Sequence, residues 1–470
     1  MADLWQLPAA ELLDRYASHD LSPVEVVADT FQRIERLNPR LRAYLALNQD
    51  EALAAARAAE QAWLEPGKKP PLCGVPVSVK DTIEMAGQPT TYGSLAFRDN
   101  RRPDSEIVRR LRQAGAIILG KTNTPEFALL GETRNRLGAP GANPWSPEHT
   151  CGGSSGGAAA AVAAGLGPLA VGTDSGGSIR LPAAYTGIFG LKPTYQRIPA
   201  VQMWRASPNR SHNGPLTRTV RDTALLMGTL AGPDARDPSS LNLPPVQDWL
   251  AFSDGQLRGV RVALSHDFGY APKPDAEVLS ALDEAAGLLE SFGCDIVQSH
   301  PPSLEPKDEL EPGVWAYSGD HYAAAEAMIP AFWDRHADDL TDYIRPVYDA
   351  GRRALAWQYR LILRRNQGYV AQMQEWFRSF DFLLSPVSGP APQLDAPRQR
   401  FEGQREHGYL VAFNIAQNPA ASVPFGFHSS GLPLAVQIVG KLGDDLGVLR
   451  LAAFIEAQRP WAEHWPELAL

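Results

Sequence analysis

The stretch CGGSSGGAAAAVAAGLGPLAVGTDSGGSIRLPAA, Cys151 to Ala184, constrains the fold more than any other part of the chain. Paired glycines frame two serine clusters, GGSSGG and SGGS, with an alanine run between them. Ser154 and Ser155 immediately precede GGAAAAVAAGL, a strong helix former. Both serines therefore fall at or near a helix N-terminus, where unpaired N–H groups favour negative charge. LAVGTD then reads as a short strand leading into SGGSIR. Gly176 and Gly177 admit unusual backbone dihedrals, which lets successive N–H groups converge on one point, as in a backbone oxyanion hole. Ser178 would carry its hydroxyl into the same space. Alone, GGSSGG is most often a turn or linker; the ordered helix and strand beside it argue against that here.

The rest of the chain supplies alternating strands and helices. LSPVEVVADTFQRIERL predicts a helix with Ser22 as cap, Pro23 in first position and Glu25 reaching back, and Pro39 is expected to stop it. EALAAARAAEQAWL is a further helix and KKPPL a linker. GVPVSVKD alternates as a strand, with Val75, Val77 and Val79 on one face and Lys80 on the other, at its end. SEIVRRLRQAG is a helix and AIILG a short buried strand. Further on, VRVALS, CDIVQS, DFLLSPV and LPLAVQIVG read as strands. DAEVLSALDEAAGLLESFG, roughly 352–380, and DDLGVLRLAAFIEAQ read as helices. This alternation predicts an α/β fold, a layered sheet with helices on both faces.

Composition excludes several classes. The chain has 470 residues, 44% hydrophobic and 21% charged, with a formal net charge of −9. Nucleic acid is not an expected partner, because phosphate binding needs clustered Lys and Arg. The three cysteines, Cys73, Cys151 and Cys294, are far apart and lack metal-ligand spacing, so no metal or disulfide framework is expected. No basic segment followed by an apolar stretch opens the chain, and the longest apolar run is too short and broken to span a bilayer. A cytoplasmic protein with no membrane partner is the expectation.

One motif match is rejected. GAIILGKT, Gly115 to Thr122, fits the phosphate-loop pattern letter for letter, but Ala-Ile-Ile-Leu belongs in a buried strand and is too bulky to wrap phosphate. Strand followed by turn is the reading adopted.

A serine nucleophile needs a base. His149 and His212 are the nearest histidines, yet no G-x-S-x-G elbow displays a serine for a histidine-based triad. The other candidate is Lys80, since burial strips an amine of proton affinity and leaves it able to act as a base. Against this stands an exposed strand-end lysine paired with its neighbour Asp81.

Together, GVPVSVKD, GAIILGKTNTPEFA, CGGSSGGAAAAVAAG, GTDSGGSIRLPAA, GLKPTY and GPLTRTVRDTALLMGTLAG resemble the amidase signature family. NPAASVPFGF, GLPLAVQIVG and DDLGVLRLAAFIEA extend the resemblance to nearly the whole chain. It implies one large domain, residues 1–470, with a central mixed, twisted β-sheet. An N-terminal helical segment (1–65) would precede the signature core (66–235), and the C-terminal part (236–470) would complete the sheet and pocket. It implies hydrolysis of the C–N bond of a small carboxylic amide through an acyl-enzyme. Residue by residue, Ser178 matches the nucleophile, Ser154 the bridging serine and Lys80 the base, with a cis Gly153–Ser154 peptide. Backbone N–H groups of Ser175, Gly176, Gly177 and Ser178 match the oxyanion hole, Asp174 and Arg180 brace the loop, and Ser155 is structural. No metal or cofactor is implied.

Within the family, the glutaminase-type component of the tRNA-dependent amidotransferase is the alternative. It usually carries a glutamine where this chain has Leu181, and an acidic residue in the segment corresponding to GYLVAFNIAQNPAAS, which has no aspartate. A free-standing amidase is therefore expected, acting on an amide, carbamate or ester, with homodimerisation an open option. Ala128, Tyr195, Met203 and Trp204 are the expected pocket residues. Trp315, Tyr317, Tyr322 and Phe332 would add aromatic loops suited to an aryl group. Loop anchoring and core filling are the equally weighted alternative.

Overall fold

The computed structural model describes residues 3–201, 203, 209–251, 257–303, 336–346, 355–394 and 408–470. In chain order its strands are β1 (Tyr44–Leu47), β2 (Pro76–Lys80), β3 (Ile117–Thr122), β4 (Ala142–Asn143), β5 (Ser146–Thr150), β6 (Leu169–Asp174) and β7 (Phe189–Lys192). They continue with β8 (His212–Thr217), β9 (Arg261–Leu264), β10 (Asp295–Gln298), β11 (Phe382–Pro386), β12 (Ala420–Phe427) and β13 (Pro433–Gly440). The described helices are α1 (Ala9–Ala17), α2 (Pro23–Leu41), α3 (Gln49–Leu64), α4 (Glu106–Gln113), α5 (Gly156–Ala163) and α6 (Arg180–Thr186). They end with α7 (Val220–Leu230), α8 (Ala276–Ser291), α9 (Ala356–Trp376), α10 (Val411–Ile415) and α11 (Asp445–Gln458).

Eleven strands form one mixed sheet in the order β1-β3-β2-β6-β8-β7-β12-β13-β11-β9-β10. β3, β2 and β6 run parallel on one side, as do β11, β9 and β10 on the other. Antiparallel strands β8, β7, β12 and β13 join the two halves. Alternation sorts the core. Val77, Val79, Leu169 and Val171 face α4, α7, α8 and α11, whereas Ala170 and Leu216 face α5 and α6. The sheet is thus covered on both sides, which apolar alternation on both faces requires.

Helix α2 carries the expected reciprocal cap, with Ser22 and Glu25 satisfying each other's backbone. Pro39 does not stop it. The helix runs on to Leu41 and closes at Arg42, whose φ of 53° turns the chain left-handed. A proline in the last turn forfeits one hydrogen bond but keeps a helical φ, so termination falls to the residue that leaves helical dihedrals. The GAIILGKT stretch is also corrected in part: β3 continues through Gly120 and Lys121 to Thr122, paired on both sides, with no turn inside it. It cannot wrap phosphate. The expected loop from Thr194 to Gly214 likewise ends early, because β8 begins at His212.

Helix α5 explains the glycine and alanine run. All eight of its residues are buried. A Cβ on Gly157 would stand 2.3 Å from Asn123 N and 2.5 Å from Ala43 O, so the helix lies against backbone that only hydrogen can approach. No described helix is long and apolar enough to cross a membrane.

Candidate active site

Parallel strands β2 and β6 end side by side, and the first residues of α5 lie over those ends. The valine face of β2 packs into the core, and alternation turns Lys80 away from it toward α5. Lys80 is fully buried. Its Nζ lies 2.6 Å from Ser154 Oγ and 2.9 Å from Thr173 Oγ1. Among the described residues no carboxylate comes within 4.0 Å of it. Burial pushes its amine well below the usual lysine value, opposed only in part by the more distant Asp174 charge. The alternative of an exposed lysine paired with Asp81 does not hold: Asp81 turns to Lys121, 3.3 Å away, and to Thr91.

Ser154 follows a cis Gly153–Ser154 peptide. Ser155 occupies the cap position of α5, but its hydroxyl goes to β6, donating to Thr173 O at 3.1 Å and accepting from Thr173 N at 3.2 Å. It fastens the helix start to the strand that carries Thr173. Ser178 is brought to the same place through its backbone, Ser155 N–H donating 3.1 Å to Ser178 O. Among the described hydrogen bonds, none joins Ser178 Oγ to Ser154 Oγ.

The turn from Ser175 to Ser178 is shaped by a buried ion pair. Arg180 Nε and Nη2 each sit 3.0 Å from Asp174, on separate carboxylate oxygens. Asp174 also receives Gly177 N–H at 2.7 Å and Asn414 Nδ2 at 2.8 Å. Burial alone would raise this carboxyl, but the Arg180 charge and hydrogen bonds outweigh it and hold Asp174 well below the usual range. The Gly177 N–H is therefore committed to bracing, with Gly177 at φ +118°, a conformation suited to glycine. Arg180 is completed by Leu410 O, Gln437 Oε1 and Asn414 Oδ1 at 3.0, 2.7 and 2.7 Å. A fully hydrogen-bonded buried pair of this kind holds a loop in one geometry.

Sequence reasoning missed Thr173, Asn414 and Gln437. Thr173 stands beside Asp174 in GTDSGGS and could have been weighed as a partner for an amine. Asn414 and Gln437 lie more than 230 residues along the chain, and only the sheet brings them in. The two nearest histidines are elsewhere engaged. His149 Nδ1 meets Ser146 Oγ at 2.8 Å. His212 directs Nδ1–H to Arg210 O at 2.7 Å, and burial holds its imidazole well below the usual value, hence neutral. Among the described residues no histidine bonds to Ser154 or Ser178. The one described group with metal-ligand spacing, Asp275, Glu277 and His428, joins the start of α8 to the residue after β12 and includes none of these residues.

Of the expected pocket residues, Ala128 is half-buried with φ 57° and Tyr195 is half-buried with its ring edge-on to His212 at 5.4 Å. Met203 packs against the main hydrophobic cluster. Trp204, Trp315, Tyr317, Tyr322 and Phe332 lie outside the described residues.

The amidase family model matches residues 25–449. The chain belongs to the amidase family. An acylamidase of Rhodococcus erythropolis is 35% identical over 477 residues, covering 99% of this chain and 98% of that one. A solved bacterial aryl acylamidase of the amidase signature family superposes with a TM-score of 0.89 at 30% identity, covering 98% of each chain. A glutamyl-tRNA(Gln) amidotransferase component of Carboxydothermus hydrogenoformans is 32% identical over 488 residues, covering 99% of this chain and all of that one. The chain is thus an amidase-family enzyme acting on amides, with the amidase signature fold. Family membership alone does not separate a free-standing amidase from the amidotransferase component.

Proposed function

We propose that the chain hydrolyses the C–N bond of a small carboxylic amide through Ser178, Ser154 and Lys80. The observation that carries this reading is a fully buried amine, 2.6 Å from a serine hydroxyl, with hydroxyls and no carboxylate as its close partners. Such an amine is neutral near neutral pH and accepts a proton. Ser154 passes it the proton of Ser178. Ser178 Oγ then attacks the carbonyl carbon, and the carbonyl oxygen takes the negative charge. Backbone N–H groups of the Ser175–Ser178 turn hold that oxygen, with Gly177 bracing the turn through Asp174. Protonated Lys80 returns the proton through Ser154 to the leaving nitrogen, the C–N bond breaks, and water cleaves the Ser178 ester by the same relay. The relay asks Ser178 Oγ to turn toward Ser154 when substrate is bound, because active-site hydrogen bonds commonly tighten only then.

Carbamates and aryl esters offer the same carbonyl to Ser178, so the proposal extends to them. Two features favour a free-standing amidase over the amidotransferase component. Leu181 is buried among Tyr185, Leu410 and Phe413, where a glutamine amide would need partners. The segment 408–422 offers no carboxylate to a substrate ammonium. Labelling with phenylmethylsulfonyl fluoride tests the nucleophile. A mass adduct on Ser178 with matching loss of turnover is expected; full turnover in a Ser178→Ala variant would overturn the reading.

A further inference from the structure

Residues 336–346 form a strap that is buried at Leu340, Thr341, Tyr343 and Ile344. It lies against the loop that follows β3, and three separate contacts join the two. Thr341 donates to Glu126 Oε2 from its N–H, at 2.7 Å, and again from its hydroxyl. The Tyr343 hydroxyl accepts Glu126 N–H at 2.7 Å and donates to Arg134 O at 2.9 Å. Arg136 donates through Nη1 to Asp338 O and, at 3.3 Å, to Leu340 O. One phenol thus bridges Glu126 and Arg134. Between them Phe127 and Ala128 take φ of 52° and 57°, a left-handed conformation that side chains disfavour. Such residues persist where their surroundings over-determine them. Asn135 closes the neck of the loop, donating at 2.7 Å to Asn123 Oδ1 and to Thr124 O. The strap holds Glu126 and Arg134.

The same loop touches the backbone that carries Ser154. Thr133, next to Arg134, is fully buried and donates 2.8 Å to Gly152 O. A Cβ on Gly153 would stand 2.7 Å from Glu132 N and 2.8 Å from Leu130 O, so loop and peptide meet with room for hydrogen alone. Ser154 Oγ in turn sits 2.6 Å from Lys80 Nζ. A route of adjoining groups therefore runs from Tyr343 through Arg134 and Thr133 to Gly152 and Ser154. Close packing passes a displacement along such a route instead of absorbing it.

We propose that Tyr343 and Thr341 are positioning residues for amide hydrolysis, setting Ser154 against Lys80 through Glu126 and the 130–134 backbone. Among the described hydrogen bonds, neither residue reaches Lys80, Ser154 or Ser178, so both act at one remove from the reacting atoms. The inference rests on Ser154 as the bridging serine of the proposed relay and deepens that reading by naming what holds it in place.

The test measures the second-order rate at which phenylmethylsulfonyl fluoride labels Ser178, beside kcat and KM for 4-nitroacetanilide. Both are read at a temperature where thermal melts show each variant folded. Tyr343→Phe keeps the ring but leaves Glu126 N–H and Arg134 O without their shared partner. It should slow labelling and kcat about tenfold, because a small displacement at the site is enough to do so. KM should hold while kcat and kcat/KM fall together, a split that lost stability alone does not produce. Thr341→Val should slow both rates a few-fold, and Thr341→Ser, which keeps the hydroxyl, should restore them. Should Tyr343→Phe not fold, the Thr341 pair decides. Melting midpoints that fall while labelling and kcat keep their wild-type values would overturn the inference, as would Thr341→Ser behaving like Thr341→Val. Ser154→Ala separates the two levels. Full labelling and turnover in that variant would sink the relay and this inference with it, whereas loss there beside unchanged Tyr343→Phe rates would overturn the role of the strap alone.

Discussion

Lys80 ends β2, and Lys121 stands one residue before the end of the neighbouring parallel strand β3, Lys80 facing Thr122 and Val79 facing Lys121. Both are fully buried. Lys121 has Asp81 at 3.3 Å, Ile83 O at 2.7 Å and Thr90 Oγ1 at 2.8 Å, so its charge is answered. Lys80 has two hydroxyls. Burial lowers both amines, but at Lys121 the Asp81 charge and hydrogen bond push back, and only Lys80 falls well below the ordinary value. Equal burial therefore yields two different environments. One lysine is paired with a carboxylate, and the other is an amine held well below its ordinary value beside a serine, as the proposed base requires. The carboxylate that makes the difference is Lys80's own neighbour in sequence, turned toward the other strand.

That contrast breaks most readily by substitution. Lys80→Met should cost about 10²–10⁴ in kcat with the fold kept, because a positioned base contributes that much, and a steady-state assay beside circular dichroism checks it. Lys121→Met should leave Asp81 buried without its counter-charge and destabilise the chain by about 3–5 kcal/mol, read from denaturant unfolding. If both variants lost only stability, the division between paired lysine and proposed base would be wrong.

Much of this is legible in the sequence, and the reasons are local. Lys80, Ser154, Ser178 and Asp174 lie in short motifs that carry the family resemblance. The strand ending at Lys80 and the helix after Ser155 follow from alternation and from an alanine run. Strands β7, β8 and β12 escape such a reading, since Pro215 and Pro424 interrupt the pattern and the pairing is with distant segments. Which way Asp81 turns is also hidden, because neighbours in a strand face opposite sides and only the packed sheet decides their partners. Asn414 and Gln437 complete Arg180 from the far half of the chain, which no local pattern announces.

Two smaller effects sharpen the comparison. The unfolded chain holds the Lys80 proton up to about pH 10.4, while the folded chain sheds it at lower pH. Folded stability of the wild type relative to Lys80→Met should therefore rise with pH between those two values. The slope should not exceed about 1.4 kcal/mol per pH unit, and the difference should be flat above the unfolded value. Unfolding titrations from pH 7 to 11 measure it, and a difference that falls with pH would contradict a depressed amine. Thr173→Val should remove one partner of Lys80 and lower kcat about fivefold, the worth of one neutral hydrogen bond, as checked by steady-state kinetics.

The most direct measurement follows the amine itself. Lysine-selective ¹⁵N labelling, with the Lys80 resonance assigned by its loss in Lys80→Met, allows Nζ to be titrated in the folded enzyme. A neutral Lys80 at pH 7–8, beside a Lys121 still charged there, is the expected result. A Lys80 that stays protonated across the pH range of turnover would contradict the account.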